Sequence, residues 1–309
     1  MHVTLRQLAV FEAVARNGSF TRAAEELHLS QPAVSMQVKQ LEENLGLPLF
    51  EQMGKKIYLT EAGRELESYA VRVSQLLDEA EAVLEEMKGV KRGSLNISVA
   101  TTANYFATRL LAAFSQRNEG VTFSLDVTNR ETLIRQLENN ERDLVIMGKP
   151  PDGHDLDAES FMDNPLVVVA PPEHPLTRKK GIPLSALAGE RIVVREAGSG
   201  TRIAIERFFA ERGIEFAMGM EMSSNEAIKQ AVEAGLGLGI ASIHTLELEL
   251  DCGRLAILDV EDFPILRHWY IVQRRGKRLS ATAQAFKDFV LAEAPRFVRL
   301  PEQYRQSSR

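Results

Sequence analysis

A long heptad pattern in the first third of the chain is the feature that most restricts its possible folds. Apolar residues recur at alternating intervals of four and three residues, at Ala62, Leu66, Tyr69, Val73, Leu76, Ala80, Val83, Met87 and Val90. A period of 3.5 residues places these side chains along one seam of a helix and is typical of two helices packed together. We therefore predict a dimerisation helix and hinge over residues 61–92. The alternative is a single amphipathic helix that lies on its own domain.

Residues 1–60 have the pattern of a small helical domain that ends in a hairpin. Thr4 and Gln7 have the spacing of a capping box, and Ser19 and Ser30 are suited to cap two further helices. The segment 52–60 reads as two short strands around a basic tip. Two helices joined by a tight turn and followed by a hairpin predict a winged helix-turn-helix domain.

The third predicted helix has an apolar stripe and an opposite polar face. The stripe, which we expect to face the core, consists of Val34, Val38, Leu41 and Leu45. The opposite face and its flanks carry Gln31, Pro32, Ser35, Met36 and Lys39. Short polar side chains there can reach base edges while a lysine contacts phosphate, as Lys55 and Lys56 can from the hairpin tip. The six basic and six acidic residues of 1–60 cancel, so charge leaves open the alternative of a solvated face on a structural bundle.

Residues 93–309 alternate between strand and helix patterns. Strand-like segments lie at 95–100, 121–127, 143–147, 166–170, 192–195, 237–242, 255–260 and 268–273. Helical patterns lie at 104–117, 130–139, 201–212, 224–234 and 280–292. This alternation predicts an α/β architecture with parallel sheets, long enough for two lobes with a cleft between them.

Short sequence blocks in the N-terminal domain resemble those of LysR-type transcriptional regulators. The blocks are Leu5-Arg6-Gln7-Leu8, Ser19-Phe20-Thr21-Arg22-Ala23-Ala24, Leu29-Ser30-Gln31-Pro32-Ala33-Val34-Ser35 and Gly46-Leu47-Pro48-Leu49-Phe50. The resemblance implies a winged helix-turn-helix, a long linker helix that forms dimers and often tetramers, and a two-lobed effector domain like that of periplasmic binding proteins. The resulting partners are double-stranded DNA, a small effector and further copies of the chain.

The resemblance also places the DNA contacts. The candidate DNA-binding residues are Arg22, Ser30, Gln31, Pro32, Ser35, Met36, Lys39, Lys55 and Lys56. Met36 stands where many members of the family carry arginine or another polar residue. A contact is therefore either lost at this position or replaced by an apolar contact with a thymine methyl group.

Later segments are similar to the CbbR-type subgroup of the same family. They are Asp126-Val127-Thr128-Asn129-Arg130, the segment from Arg195 to Arg202 and the segment from Met222 to Val232. The subgroup implies control of carbon-fixation operons in response to phosphorylated or nucleotide metabolites. The alternatives are a LysR-type regulator of another pathway and, from another class, a solute-binding protein.

Four segments rich in Ser, Thr and Asn stand between a predicted strand and a predicted helix. A helix N-terminus has free N–H groups and a positive dipole end, so each segment can hold an anion. The candidate effector-binding residues are Thr101, Thr102, Asn104, Asn129, Arg130, Arg195, Ser199, Gly200, Thr201, Arg202, Ser224, Asn225 and Glu226. Plain helix capping is the alternative for each segment taken alone.

Several classes of function receive no support from the sequence. Cys252 is the only cysteine, the six histidines lack metal-ligand spacing, and no catalytic constellation is visible. The longest apolar runs are far shorter than the roughly 20 residues of a membrane-spanning helix, and the N-terminus lacks the apolar region of a secretory signal. We expect a cytoplasmic protein that is not an enzyme and carries no metal or other cofactor.

Overall fold

A computed structural model describes residues 3–54, 56–87 and 93–298 of the chain. The chain divides into two compact units, which we describe separately. The N-terminal unit contains α1 (Leu5–Asn17), α2 (Phe20–Glu26), α3 (Gln31–Leu45), β1 (Phe50–Met53), β2 (Lys56–Leu59) and α4 (Glu61–Met87). Lys55, Val90 and the predicted hinge residues Lys91 and Arg92 lie outside the described residues.

Local sequence signals set the boundaries of the first three helices. Thr4 and Gln7 form the complete capping box of α1, and the Ser19 and Ser30 hydroxyls accept backbone N–H groups at the starts of α2 and α3. Gly46 ends α3 with φ of 71°, a left-handed conformation that favours glycine. The paired strands β1 and β2 then form the hairpin, which completes the winged helix-turn-helix.

The predicted apolar stripe of α3 faces the core of this unit. Val34, Val38 and Leu41 are almost fully buried, whereas Leu45 is half-buried. Val34 and Val38 pack with residues of α1 and α2, and Leu41 packs with Phe11. The opposite face of α3 is therefore left to solvent.

The linker helix α4 changes its surroundings along its length. Its first turns pack on their own unit through Ala62, Leu66 and Ala70. Further along, Tyr69 and Leu76 of the predicted seam are 57% and 61% exposed. Nothing is described for the side chains of Val83 and Met87. The start of the seam thus matches the alternative of a helix on its own domain, while its middle is uncovered as a dimerisation seam requires.

The C-terminal unit consists of two lobes, each with one five-stranded sheet. The first lobe contains β3 (Ser94–Ala100), α5 (Asn104–Arg117), β4 (Thr122–Thr128), α6 (Arg130–Glu138), β5 (Leu144–Met147), β6 (Leu156–Asp163), β12 (His268–Arg274) and α10 (Ala281–Glu293). The second lobe contains β7 (Leu166–Ala170), β8 (Arg191–Arg195), α7 (Gly200–Ala210), β9 (Ala217–Met222), α8 (Asn225–Glu233), β10 (Leu238–Ser242), α9 (Glu247–Asp251) and β11 (Ala256–Ile257). The sheet orders are β4-β3-β5-β12-β6 and β11-β7-β10-β8-β9.

The two sheets are mixed, which corrects the prediction of parallel sheets. In the first lobe β12 runs antiparallel to β5 and β6, and in the second lobe β7 runs antiparallel to β10 and β11. The sequence prediction missed the edge strands β6 and β9, because β9 exposes five of its six residues and β6 exposes its central residues, so neither has a continuous buried apolar run. The predicted strand 255–260 is shortened to Ala256–Ile257.

The chain crosses between the lobes twice, and the two crossovers lie side by side. The N–H of Asn164 donates to the carbonyl of Arg267 at 2.7 Å. Leu166 and Ile265 exchange two backbone hydrogen bonds of 3.0 Å. The first lobe therefore comprises residues 93–138, 142–163 and 268–298, and the second comprises residues 164–267.

Candidate DNA-binding face and effector cleft

The predicted recognition face of α3 is open to solvent. Gln31, Pro32 and Lys39 are exposed, and Met36 is 62% exposed. Ser35 is half-buried, and its hydroxyl accepts a hydrogen bond of 2.9 Å from the Gln31 side-chain amide. These side chains stand on the first turns of a helix whose opposite face is fixed in the core, so their positions are defined by packing.

The remaining predicted DNA contacts fall in separate places. Arg22 is exposed on α2, and Lys56 is exposed at the start of β2. Ser30 is also exposed, but its hydroxyl accepts the N–H of Ala33 as the N-cap of α3. Helix capping therefore accounts for the orientation of the Ser30 hydroxyl without a DNA contact.

A carboxylate that the sequence analysis did not single out fixes the hairpin to the recognition helix. Oε1 of Glu42 accepts the backbone N–H groups of Leu49 and Phe50 at 2.7 and 3.3 Å. The first of these bonds spans seven residues, which is outside the reach of helical or strand periodicity. Only the folded chain reveals it.

A cleft of about 450 Å3 opens between the two lobes of the C-terminal unit. Both lobes and the second crossover border it, and the carboxyl ends of parallel strands meet there, as is usual for ligand sites in α/β sheets. Eight of the predicted effector-binding residues border this cleft, namely Thr101, Thr102, Asn129, Arg130, Arg195, Ser199, Gly200 and Thr201. Segments far apart in the sequence are thus brought to one surface.

The other five predicted effector residues do not border the cleft; they are Asn104, Arg202, Ser224, Asn225 and Glu226. Arg202 turns to the carboxylates of its own lobe and donates to the carbonyl of Arg195 at 2.9 Å. The Ser224 hydroxyl caps α8, and Asn225 accepts a 3.1 Å bond from Arg195. For these three, partners within the protein explain the side-chain orientation without an effector.

Several cleft residues already use their polar atoms within the protein. The guanidinium of Arg195 forms two hydrogen bonds of 2.7 and 2.8 Å with the carboxylate of Glu196. The side-chain oxygens of Asn129 and Ser199 accept backbone N–H groups at the starts of α6 and α7. Capping is therefore the established role of these two oxygens.

Arg267 is a cleft residue that the sequence analysis missed. It lies in the second crossover, where its Nη1 donates to the carbonyl of Gly200 at 2.9 Å. Burial and the nearby charge of Arg130 lower the pKa of Arg267 to about 10. Burial also lowers the pKa of Arg130, whose Nη1 donates to the carbonyl of Lys149 at 2.8 Å. No helix or strand pattern could have identified Arg267, because it lies between two elements.

A second group of charged residues joins the two lobes away from this cleft. Tyr105 on α5 of the first lobe donates to Glu226 on α8 of the second. Lys229 lies 2.8 Å from both Glu226 and Glu249, and 4.9 Å from the centre of the Tyr105 ring. Burial would lower the pKa of Lys229, but its hydrogen bonds to the two carboxylates outweigh burial and raise it. Burial likewise raises the pKa of Tyr105 to about 12.

The described ranges contain neither a metal site nor a membrane-spanning helix. Within them, no group of three or more His, Cys, Asp and Glu side chains is arranged to hold a metal ion. None of the helices in those ranges is both long enough and apolar enough to cross a bilayer.

Comparison with known proteins assigns a family to both units. Residues 5–64 match the bacterial regulatory helix-turn-helix proteins of the lysR family, and residues 88–295 match the LysR substrate binding domain. The RuBisCO operon transcriptional regulator of Allochromatium vinosum is 62% identical over 296 residues, which cover 96% of this chain and 98% of that protein.

Two solved structures extend the comparison. The regulatory domain of CcmR from Synechocystis PCC6803, in complex with 2-PG, is 44% identical with a TM-score of 0.63; the match covers 66% of this chain and 98% of that one. Full-length CbnR complexed with its target DNA is 21% identical with a TM-score of 0.69, and covers 93% of this chain and 99% of that one. The second likeness shows a shared fold.

Proposed function

This chain belongs to the LysR family of bacterial transcriptional regulators, and we propose that it controls carbon-fixation genes in response to a small phosphorylated metabolite. The high identity to a RuBisCO operon regulator over nearly the whole length of both chains carries this proposal. It favours carbon fixation over another metabolic pathway. A regulator of promoters is not an enzyme, and it acts in the cytoplasm, where the bacterial chromosome lies.

The exposed face of α3 supports direct reading of DNA. In our proposal Gln31 and Ser35 meet base edges in the major groove, and Met36 lies against the groove floor. Arg22, Lys39 and the hairpin lysines contact phosphates. Because the N-terminal domain has no net positive charge, its affinity depends on these few positioned groups.

Two copies joined through α4 would present two recognition helices to one operator. The exposed apolar residues Tyr69, Leu76, Leu77 and Leu84 support an interface along the middle of the helix. Replacement of Leu76 by Lys would place charges in that interface and should shift the protein towards monomer, which light scattering measures. The exposed control Glu65→Lys should leave the mass unchanged. An unchanged mass for Leu76→Lys contradicts the seam.

The cleft between the lobes is the proposed effector site. A relative's regulatory domain is known in complex with 2-PG, and phosphoglycolate is a small, multiply charged metabolite of the proposed class. The effector would favour one arrangement of the two lobes. It can change promoter binding only if the protein in that arrangement has a different affinity for DNA. The coupling is therefore reciprocal, so operator DNA must alter the affinity for the effector.

A binding titration tests the DNA-reading function. Duplexes selected from a random pool by the full-length protein would be labelled and titrated at several salt concentrations. Specific binding that weakens steeply with salt is expected. Gln31→Ala and Ser35→Ala should each weaken binding to the selected duplex by about 5- to 150-fold, since a good base contact is worth about 1–3 kcal/mol. Binding to an unrelated duplex should change little.

The control is Gln40→Ala, an exposed glutamine two turns further along the same helix. It should leave the ratio of specific to non-specific affinity near that of the wild type. If Gln31→Ala and Ser35→Ala weaken both duplexes equally, these side chains do not read bases. If the protein selects no sequence from the pool, the proposed function is wrong.

A further inference from the structure

Two arginines from different parts of the C-terminal unit meet at the first residue of α7. Arg267, in the crossover, donates through Nη1 to the carbonyl of Gly200 at 2.9 Å. Arg130, at the start of α6 in the first lobe, approaches the same glycine: a Cβ built on Gly200 would lie 3.8 Å from its Nη1. The tip of α7 therefore brings a cation of the first lobe beside a cation of the crossover.

Neither arginine has an acidic partner in the part of the chain that the structure describes. The only charged group that acts on the pKa of Arg267 is Arg130, another cation, and burial alone acts on Arg130. Both guanidiniums instead donate to backbone carbonyls, and Nε of Arg267 has no hydrogen-bond partner among the described residues.

The other two arginines of this region differ in this respect. Arg195 is bound by the carboxylate of Glu196 through two hydrogen bonds. Arg202 is bound by Glu206 and lies 3.6 Å from Glu221. Their charges are already compensated, so they have little to gain from an external anion.

An uncompensated pair of half-buried cations is unfavourable in the protein alone. Removing part of a charge from water is unfavourable unless a partner is supplied, and two like charges at close range add repulsion. An anion that binds from solvent between the two arginines would offset this unfavourable electrostatic energy.

The start of α7 supplies further groups for an anion. The first N–H groups of a helix have no partner within the helix and carry the positive end of its dipole. The Ser199 hydroxyl accepts the N–H of Arg202, one residue beyond Gly200 and Thr201, and both of these residues border the cleft.

We propose that Arg130, Arg267 and the first amides of α7 form the site for the phosphate group of the effector. The inference rests on the proposed function, because it takes the cleft to be the effector site. A phosphate there would bridge α6 of the first lobe, α7 of the second lobe and the crossover between them. The anion would replace the missing counter-ion and hold the two lobes at one separation.

Titration calorimetry on the full-length protein tests this assignment. The probes are 2-phosphoglycolate, inorganic phosphate and glycolate, which lacks the phosphate group. The wild type should bind 2-phosphoglycolate at least tenfold more tightly than glycolate. Arg267→Gln and Arg130→Gln should each weaken 2-phosphoglycolate and inorganic phosphate by about 10- to 100-fold, as expected for loss of a charged hydrogen-bond donor. Glycolate should change little.

Arg207→Gln is the matched control, because Arg207 borders the same cleft but is exposed. It should change the affinity for each probe by less than threefold. Thermal unfolding without any probe gives a second readout. Arg267→Gln should not lower Tm, because the substitution removes a repulsive charge, whereas loss of a purely structural arginine would lower it.

Equal affinity of wild type and both arginine variants for 2-phosphoglycolate and phosphate would overturn the assignment. So would a wild type that binds glycolate as tightly as 2-phosphoglycolate. Affinity for a selected DNA duplex without effector is measured in parallel and should be the same in all variants. Failure of the wild type to bind DNA contradicts the proposed function, whereas intact DNA binding with unaltered phosphate affinity in the variants contradicts the phosphate site alone.

Discussion

Acid should destabilise the C-terminal unit through one buried histidine. His244 is 6% exposed, and its Nε2 lies 2.8 Å from the carbonyl of Asp163. Its ring centre lies 5.8 Å from that of Phe106. Nδ1 has no hydrogen-bond partner among the described residues. A proton added at Nδ1 would therefore place an uncompensated charge inside the protein.

The structure sets the size and the direction of this effect. Burial lowers the pKa of His244 from 6.5 to about 4, although the carbonyl and charge of Asp163 act to raise it. The unfolded chain therefore takes up the proton first as the pH falls. The stabilisation is complete above pH 6.5 and is lost as the pH falls towards 4, by about 2 kcal/mol at pH 5 and about 3 kcal/mol at pH 4.

Urea unfolding at a series of pH values measures this loss. Trp269 is the only tryptophan of the chain and is buried in the first lobe, with its ring centre 5.3 Å from that of Phe106. Its fluorescence therefore reports the C-terminal unit. His244→Gln retains an amide that can donate to the Asp163 carbonyl but cannot be protonated, so its stability should fall less between pH 7 and pH 4.5.

The control is His268→Gln, which removes an exposed histidine at the start of β12, next to the second crossover. This variant should follow the pH profile of the wild type. If the stabilities of wild type and His244→Gln fall in parallel over this range, burial of His244 does not contribute to the acid sensitivity and the reasoning is refuted.

Two further substitutions test charged groups that hold the fold. Glu42→Ala removes the acceptor of the Leu49 N–H. It should destabilise the N-terminal unit by about 1.5–3 kcal/mol and speed hydrogen exchange at that amide. The control Glu43→Ala, at an exposed neighbouring residue, should change neither the stability nor the exchange rate. Lys229→Met leaves the buried carboxylate of Glu249 without its cation. It should lower the free energy of unfolding, followed by tryptophan fluorescence, by about 3–5 kcal/mol. A loss below about 1 kcal/mol would show that Glu249 does not depend on Lys229 for its charge compensation.

Local signals in the sequence were sufficient for the first three helices of the N-terminal unit. Caps at Thr4, Ser19 and Ser30 and the glycine at the end of α3 act within a few residues, so they can be read directly. The stripe of α3 likewise identified the buried face, and with it the exposed face that we assign to DNA. The resemblance of short blocks to LysR-type regulators identified the family, which the comparisons confirmed.

The strands of the C-terminal unit were only partly predictable. Buried strands such as β7 are apolar throughout and stand out in the sequence. The edge strand β9 is largely exposed and β6 is exposed at its centre, so neither carries such a signal. Strand direction was also hidden, because pairing with β12 and β7 depends on where the chain crosses between the lobes.

The amino-acid sequence by itself determined the boundaries of the first three helices and the orientation of α3, because these depend on periodicity and on contacts within a few residues. Only the tertiary structure decided which cations remain available to a ligand. Arg130, Arg195, Arg202 and Arg267 are the same residue type, and the sequence does not show which of them meet a carboxylate. Folding compensates Arg195 and Arg202 within their own lobe and brings Arg130 and Arg267 together at Gly200. Glu196 and Glu206 lie one and four residues from their arginines, whereas Arg130, Gly200 and Arg267 lie far apart in the chain and only the packed lobes bring them together.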